Sequence, residues 1–129
     1  MIIGIGIDII DNRRIKKTLI RFGDKFKKRC FSSIEIKKSE SRSNEINTLS
    51  KRYAAKEACS KALGTGLARG IFWKDIEVLN NNYGKPYIKL YNNALKRLNK
   101  ISESNCRVEV SLSDEKNYSI ASVIIYKDE

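Results

Sequence analysis

The chain opens on a regular alternation of large apolar residues with small or polar ones. If this segment is extended, the two sets take opposite faces: Ile3, Ile5, Ile7 and Ile9 on one, and Gly4, Gly6 and Asp8 on the other. The alternation predicts a β-strand with one face nearly bare of side chains. A ligand or another backbone can approach such a face closely.

Helical patterns predict the next elements. A basic helix is expected from about Asn12 to Arg29. A shorter helix should follow Ser32, which stands at the N-cap of a capping box with Glu35. The clearest helix runs from about Glu45 to Leu63, and Gly64 follows where a C-terminal glycine cap belongs.

The second half of the chain alternates strand and helix patterns. The predicted elements are strands at Ile76–Leu79 and Lys85–Tyr91, a helix at Asn92–Lys100, and strands at Arg107–Ser113 and Tyr118–Tyr126. This order predicts an α+β fold, in which a small antiparallel sheet packs with one long and several short helices. No linker divides the 129 residues, so we expect a single domain over residues 1–129.

The charge is unevenly distributed. Lys and Arg number 26 against 15 Asp and Glu, for a net charge of +11. Residues 13–38 hold eleven basic and two acidic side chains, which leaves +9 in that segment. Such a local field attracts an acidic protein, a nucleic acid or an anionic membrane. The alternative is a lysine-rich helix that only faces solvent.

Several kinds of chemistry are excluded. The chain has no histidine, which removes Ser-His-Asp and Cys-His catalysis and His-ligated zinc. Its cysteines, Cys30, Cys59 and Cys106, are scattered and odd in number, as suits a reducing cytoplasm. The apolar start is too short for a signal peptide, and no run is long enough to span a membrane. We therefore expect a cytoplasmic protein without a membrane partner.

Three features could carry chemistry. Asp8, at the end of the bare strand face, could hold a hard cation such as Mg²⁺, or the glycines could serve helix packing and Asp8 could cap the next helix. Glu57 and Lys61, four residues apart on one helix face, could offer a metal ligand and a phosphate-binding ammonium, or form a plain surface ion pair. The turn Gly64-Thr65-Gly66 could direct N–H groups at an anion, or only end the helix.

The order of these features resembles the holo-acyl-carrier-protein synthases, the small bacterial type of 4′-phosphopantetheinyl transferase. The matching stretches are Gly4-Ile5-Gly6-Ile7-Asp8-Ile9, Arg52-Tyr53-Ala54-Ala55-Lys56-Glu57-Ala58, Lys61-Ala62-Leu63-Gly64-Thr65-Gly66, Asp75-Ile76-Glu77-Val78, Gly84-Lys85-Pro86 and Val110-Ser111-Leu112-Ser113. The resemblance extends over essentially the whole chain, and the combination of glycine-flanked aspartate with the lysine–glutamate helix is specific.

The resemblance implies an enzyme that moves 4′-phosphopantetheine from coenzyme A to a serine of an acidic apo-acyl carrier protein, for fatty acid biosynthesis. It implies a homotrimer with coenzyme A in clefts between subunits. Asp8 and Glu57 would hold Mg²⁺ on the pyrophosphate, and Lys61 would complete the catalytic set by stabilising phosphate charge. The other coenzyme A contacts would come from Gly64, Thr65, Gly66, Lys85, Pro86 and Ser111. Arg14 and Arg21 would meet the carrier protein.

The chain departs from the family in its last motif. Many relatives carry histidines where this sequence has Glu109 and Asp114. Glu109 could be a further metal ligand, or a base acting through water; no other base for the serine is assigned. Two rival functions remain: a nucleic-acid-binding module, which explains the basic charge but not Gly4, Gly6 and Asp8, and a catalytically silent scaffold with the same fold.

Overall fold

The computed structural model describes residues 1–102 and 105–128. The strands are β1 (Ile2–Asp11), β2 (Ile76–Asn80), β3 (Pro86–Leu90), β4 (Cys106–Asp114) and β5 (Tyr118–Lys127). The helices are α1 (Asn12–Phe22), α2 (Asp24–Cys30), α3 (Ser33–Glu40), α4 (Glu45–Ala62) and α5 (Asn92–Ile101), with a 3₁₀ turn at Trp73–Asp75. The α+β class is confirmed, but the strands form two antiparallel sheets, β1-β5-β4 and β2-β3, rather than one.

The predicted basic helix is two helices. The chain breaks at Gly23, whose φ of +52° belongs to the left-handed region that favours glycine. Its N–H donates to the Leu19 carbonyl at 2.8 Å and so ends α1, and α2 begins at Asp24. The prediction of one helix from Asn12 to Arg29 was therefore wrong at this residue.

The local signals around α3 and α4 are confirmed. Ser32 Oγ accepts from the Glu35 N–H at 3.2 Å, and Glu35 Oε1 accepts from the Ser32 N–H at 2.9 Å, which completes the capping box. The long helix ends at Ala62, one residue before the predicted end, and Gly64 follows with a φ of +82°.

The bare face of β1 packs directly against the backbone of α4. A Cβ on Gly4 would lie 2.1 Å from the carbonyl oxygen of Ala62, and one on Gly6 would lie 1.8 Å from that of Ala58. Neither glycine can carry a side chain without moving the helix away from the strand. Of the two alternatives left open for this face, the approach of another backbone is the one observed.

The opposite face of β1 is exposed. Ile5, Ile7 and Ile9 are 62%, 57% and 64% exposed. Ile3 does not share this face, because the register with β5 shifts between Ile2 and Gly4 and Ile3 packs against the core. Across the described ranges no helix is both long and apolar enough to cross a bilayer.

Candidate active site

Asp8 lies at the centre of a charged cluster between β1 and α4. The close packing at the two glycines brings α4 against the strand just before Asp8, and the last turns of α4 carry Glu57 and Lys61. Lys61 Nζ donates to Asp8 Oδ1 at 3.1 Å and to the backbone oxygen of Ile7 at 3.0 Å. The structure therefore brings together the three residues that the sequence analysis singled out as catalytic.

The pKa of the Glu57 carboxyl reflects its partial burial and the charges around it. Partial burial raises the pKa of the Glu57 carboxyl, and the negative charge of Asp8 raises it further. Lys61 and, from α1, Arg14 act in the opposite direction on the same pKa. Two carboxylates and two cations thus interact at one place on the surface.

The cluster has the donor set of a magnesium site. Asp8 and Glu57 offer carboxylate oxygens, which Mg²⁺ prefers, and a cation already lies on Asp8 in the form of the Lys61 ammonium. Over residues 1–102 and 105–128 no group of three Cys, Asp or Glu side chains could hold a metal. A metal here would have two protein ligands, which leaves positions for phosphate oxygens and water.

Glu109 and Asp114 do not join this cluster within one chain. Glu109 lies on the outward face of β4 and pairs with Lys85 at 3.4 Å, whereas Asp8 points inward toward α4. Asp114 accepts from Asn47 Nδ2 at 2.9 Å. Within a single chain, the geometry does not support the hypothesis that Glu109 is a third metal ligand.

The turn Gly64-Thr65-Gly66 ends the helix. The N–H of Gly64 donates to the Lys61 carbonyl at 3.0 Å, and those of Thr65 and Gly66 donate to the Ser60 carbonyl at 3.3 and 3.1 Å. Because these N–H groups are used within the helix cap, they are not turned toward an anion. Any contact of this turn with a ligand must come from its other atoms.

A buried ion pair supports the cluster from the far side of α4. Lys56 and Glu35 have fully buried side chains, and Lys56 Nζ donates to Glu35 Oε1 at 2.8 Å. It also donates to the backbone oxygens of Trp73 and Ile76, and Glu35 Oε2 accepts from the Val78 N–H at 3.1 Å. Burial lowers the pKa of Lys56, and the neighbouring Glu35 opposes that shift. Removing one partner of such a pair costs about 3–5 kcal/mol.

The sequence analysis missed this pair. Lysine is among the residues least often buried, and Glu35 lies 21 residues away along the chain. The available signal was that Lys56 lies close in sequence to the alanines Ala54, Ala55 and Ala58, which predict a buried helix face and are all fully buried. Cys59, on the same helix, is also fully buried, and burial raises the pKa of its thiol to about 12.

The sequence analysis also missed a basic cavity that is separate from the carboxylate cluster. A cavity of about 290 Å³ lies where α3, α4 and the β2–β3 turn meet. Its lining residues are mostly basic or polar: Lys38, Arg42, Thr48, Lys51, Arg52, Asn80, Gly84, Pro86 and Leu112. Arg52 is only 5% exposed, donates to Asn80 Oδ1 at 2.6 Å, and has an Nε without an acceptor in the described residues. A buried guanidinium with an unused donor suits an anionic ligand.

A third feature is a groove of about 390 Å³ between α1, α2 and α4. Aromatic side chains form its floor, where the rings of Tyr53 and Trp73 stack at 4.3 Å between centroids. Lys25 and Arg29 stand on its rim. The charges of Arg14, Glu57 and Asp8 all act on the pKa of Tyr53, which lines the groove, so the groove and the carboxylate cluster lie near each other.

Comparison with known proteins identifies the family. Residues 4–123 match the model of the 4′-phosphopantetheinyl transferase superfamily. The chain is 50% identical to a holo-[acyl-carrier-protein] synthase of Rhizobium meliloti (strain 1021), over 97% of this chain and 90% of that one.

Two solved structures share the fold. The holo-[acyl-carrier-protein] synthase of Neisseria meningitidis superposes with a TM-score of 0.86 at 35% identity, over 98% of this chain and 100% of that one. The Helicobacter pylori enzyme, solved in complex with coenzyme A, superposes with a TM-score of 0.82 at 30% identity, over 95% and 99%. On the match of its sequence and fold, this chain belongs to the 4′-phosphopantetheinyl transferase superfamily, among the holo-[acyl-carrier-protein] synthases.

Proposed function

We propose that this protein transfers the 4′-phosphopantetheine group of coenzyme A to a serine of an apo-acyl carrier protein, in support of fatty acid synthesis. The observation that carries the proposal is the grouping of Asp8 and Glu57 around the Lys61 ammonium, which pairs with Asp8 and lowers the pKa of Glu57 through its charge. Mg²⁺ that binds a diphosphate is commonly held by one or two carboxylates, and a lysine beside it commonly binds the phosphate oxygens. The Helicobacter pylori relative was solved in complex with coenzyme A, a molecule that contains a diphosphate.

The roles of the residues follow from their chemistry. Asp8 and Glu57 would hold Mg²⁺, which would neutralise charge on the diphosphate oxygens. The carrier serine oxygen would form a bond to the β-phosphorus and release its proton to water, while the bond from that phosphorus to 3′,5′-ADP would break. Lys61 would donate to the phosphate oxygens as negative charge passes to the departing 3′,5′-ADP. Its side chain is half exposed, so the ammonium can reach a ligand lying over the cluster.

The basic cavity at Arg52 is suited to the nucleotide end of coenzyme A, which carries a further phosphate. Arg52 and Lys61 are nine residues apart on α4, which separates them by about 13 Å along the axis and about half a turn around it. One coenzyme A cannot contact both residues of the same helix from one side. This separation supports a site shared by two copies of the chain, in which Lys85 and Pro86 of one copy face the cluster of the next.

The exposed face of β1 supports self-association. Ile5, Ile7 and Ile9 form a continuous apolar row, extended on β5 by Ile124, which pairs with Ile5. Contiguous apolar patches of this kind are typical of interfaces. We propose that this row is buried between copies; the number of copies, three, comes from the family resemblance. The free thiols of the chain favour a cytoplasmic location.

The carrier protein would dock on α1. Arg14 and Arg21 would meet the acidic side chains of its recognition helix, and the aromatic groove beside them would take an apolar side chain of that helix. Because Arg14 also acts on the pKa of Glu57, a carrier bound there would have its serine near the carboxylates. The remaining predicted contacts, Gly64, Thr65, Gly66 and Ser111, would meet coenzyme A through side-chain atoms or van der Waals contact.

Docking can be tested at Arg21, which is farther along α1 than Arg14. For Arg21→Glu we expect the KM for the carrier to rise by roughly tenfold while the KM for coenzyme A stays unchanged, because a rim charge mainly steers the partner. Lys16→Glu makes the same charge change on another side of α1 and should have a much smaller effect. Equal effects of the two substitutions on the carrier KM would rule out specific docking at Arg21.

The activity is tested by the intact mass of an apo-acyl carrier protein incubated with this protein, coenzyme A and Mg²⁺. We expect a gain of one phosphopantetheine group that disappears with EDTA, and none on a carrier whose acceptor serine is replaced by alanine. If several carriers gain no mass while the protein is folded and assembled, the proposed function is wrong.

A further inference from the structure

The Lys61 ammonium lies against the Asp8 carboxylate, where a metal ion bound by Asp8 would also lie. Its Nζ lies 3.1 Å from Asp8 Oδ1 and 3.0 Å from the Ile7 backbone oxygen, so a strand carbonyl fixes the ammonium beside the carboxylate. A divalent ion bound by Asp8 would compete with this ammonium for the same carboxylate. Lys61 therefore cannot hold Asp8 and leave it fully available to a metal at the same time.

The charges of the cluster are balanced without any ligand. Asp8 and Glu57 contribute two negative charges, and Lys61 and Arg14 contribute two positive ones. A divalent cation alone would leave the cluster with an excess of two positive charges, and a diphosphate alone with an excess of two negative charges. When both bind together the balance is restored.

Lys61 is the group that can move. The Asp8 side chain is only 18% exposed and stands directly on β1, whereas that of Lys61 is 50% exposed on a flexible four-carbon stem. A phosphate oxygen above the cluster is a stronger acceptor for the ammonium than a carboxylate that has become bound to a metal. When the diphosphate binds, the Lys61 ammonium can move to a phosphate oxygen, and Asp8 then becomes available to the metal.

We propose that Lys61 acts as a resident cation on Asp8 in the free enzyme, and that the divalent ion enters only together with the diphosphate of coenzyme A, which draws the ammonium away. The inference rests on the proposed function, since it takes coenzyme A as the source of the diphosphate. Lys61 then has two roles in sequence: it keeps the free site closed to metal, and it binds phosphate in the loaded site.

The test is the binding of Mn²⁺, used in place of Mg²⁺ and followed by the electron paramagnetic resonance of the free ion. Without coenzyme A, Lys61→Met should bind Mn²⁺ about tenfold more tightly than the wild type, because the competing ammonium is gone. Coenzyme A should raise the Mn²⁺ affinity of the wild type by a larger factor than that of Lys61→Met. Lys61→Arg keeps a cation and should retain the weak binding of Mn²⁺ alone.

The matched control is Lys96→Met, which removes one positive charge from an exposed position of α5. If Lys61→Met binds Mn²⁺ alone no more tightly than Lys96→Met does, the inference is wrong. If coenzyme A fails to bind the wild type in the presence of Mn²⁺, the proposed function fails. The comparison with Mn²⁺ alone still decides whether Lys61 acts as a resident cation. Lys61 is exposed, so circular dichroism and the melting temperature should change little in all three variants.

Discussion

In an Asp8→Asn enzyme we expect the rate of phosphopantetheine transfer to fall by roughly 10²–10³-fold while the chain stays folded. Asparagine keeps the size of the side chain and an oxygen for Lys61, but it removes half of the negative charge that would hold the metal. The Lys61 partner is half exposed, so the loss of the ion pair should change the free energy of unfolding by less than about 1 kcal/mol. The measurement is the initial rate of carrier modification over a Mg²⁺ titration, with urea unfolding of the same sample.

Asp11→Asn is the matched control for Asp8→Asn. Asp11 ends the same strand, accepts from the Arg13 N–H at 3.0 Å and caps α1, outside the cluster. Asparagine caps helices about as well as aspartate, and the Asp11–Arg13 ion pair that it removes is exposed, so stability should fall only slightly and transfer should be nearly unchanged. An Asp8→Asn enzyme with the wild-type rate and Mg²⁺ dependence would remove Asp8 from the metal site.

Ile7→Asp should separate the copies of the chain and abolish transfer without unfolding the monomer. Ile7 is the middle residue of the isoleucine row and points away from the core, so the monomer loses little packing. A carboxylate at that position would have to be buried between copies without a partner, which costs several kcal/mol in each interface. Transfer is lost because, in the proposed assembly, the carboxylate cluster and the Arg52 cavity that serve one coenzyme A belong to different copies.

The measurement for Ile7→Asp is molar mass by light scattering, with circular dichroism of the same fractions. Ile20→Asp is the control, because Ile20 is even more exposed, at 77%, but lies on α1 outside the row. It should leave the assembly intact. An Ile7→Asp protein that remains assembled and active would show that the row is not the interface.

The parts of the fold that the sequence predicted depend on signals within a few residues. The capping box at Ser32 and Glu35, and the glycine end of α4 at Gly64, are complete in short stretches and were placed to within one residue. The break at Gly23 was missed because the basic pattern continues on both sides of it. The shift at Ile3 was missed because a bulge is set by the pairing with β5, which lies more than a hundred residues later.

The candidate site was predicted only where residues close in sequence share its chemistry. Glu57 and Lys61 share a helix face, and Asp8 was identified through the glycines before it. The fixed contact between Lys61 and Asp8 spans 53 residues and appears only in the fold. The contacts of Arg52 likewise appear only in the fold; in the sequence it is one residue of a matching stretch, with no role assigned. Its buried guanidinium forms a cavity with Asn80 and the β2–β3 turn, and no local sequence pattern connects that turn to α4.

The two glycines of β1 affect how this activity can be recognised in other sequences. Gly4 and Gly6 contribute no functional group; they set the distance between a helix and a strand to less than a methyl group would allow. These two positions of the motif are therefore explained by close packing, whereas the aspartate that follows them is the residue to which we assign a chemical role. In the proposed mechanism, a sequence that keeps both glycines but lacks the acid at position 8 would still resemble the family and still fold, yet would be inactive. Genome surveys should therefore read the aspartate separately from the glycines that precede it.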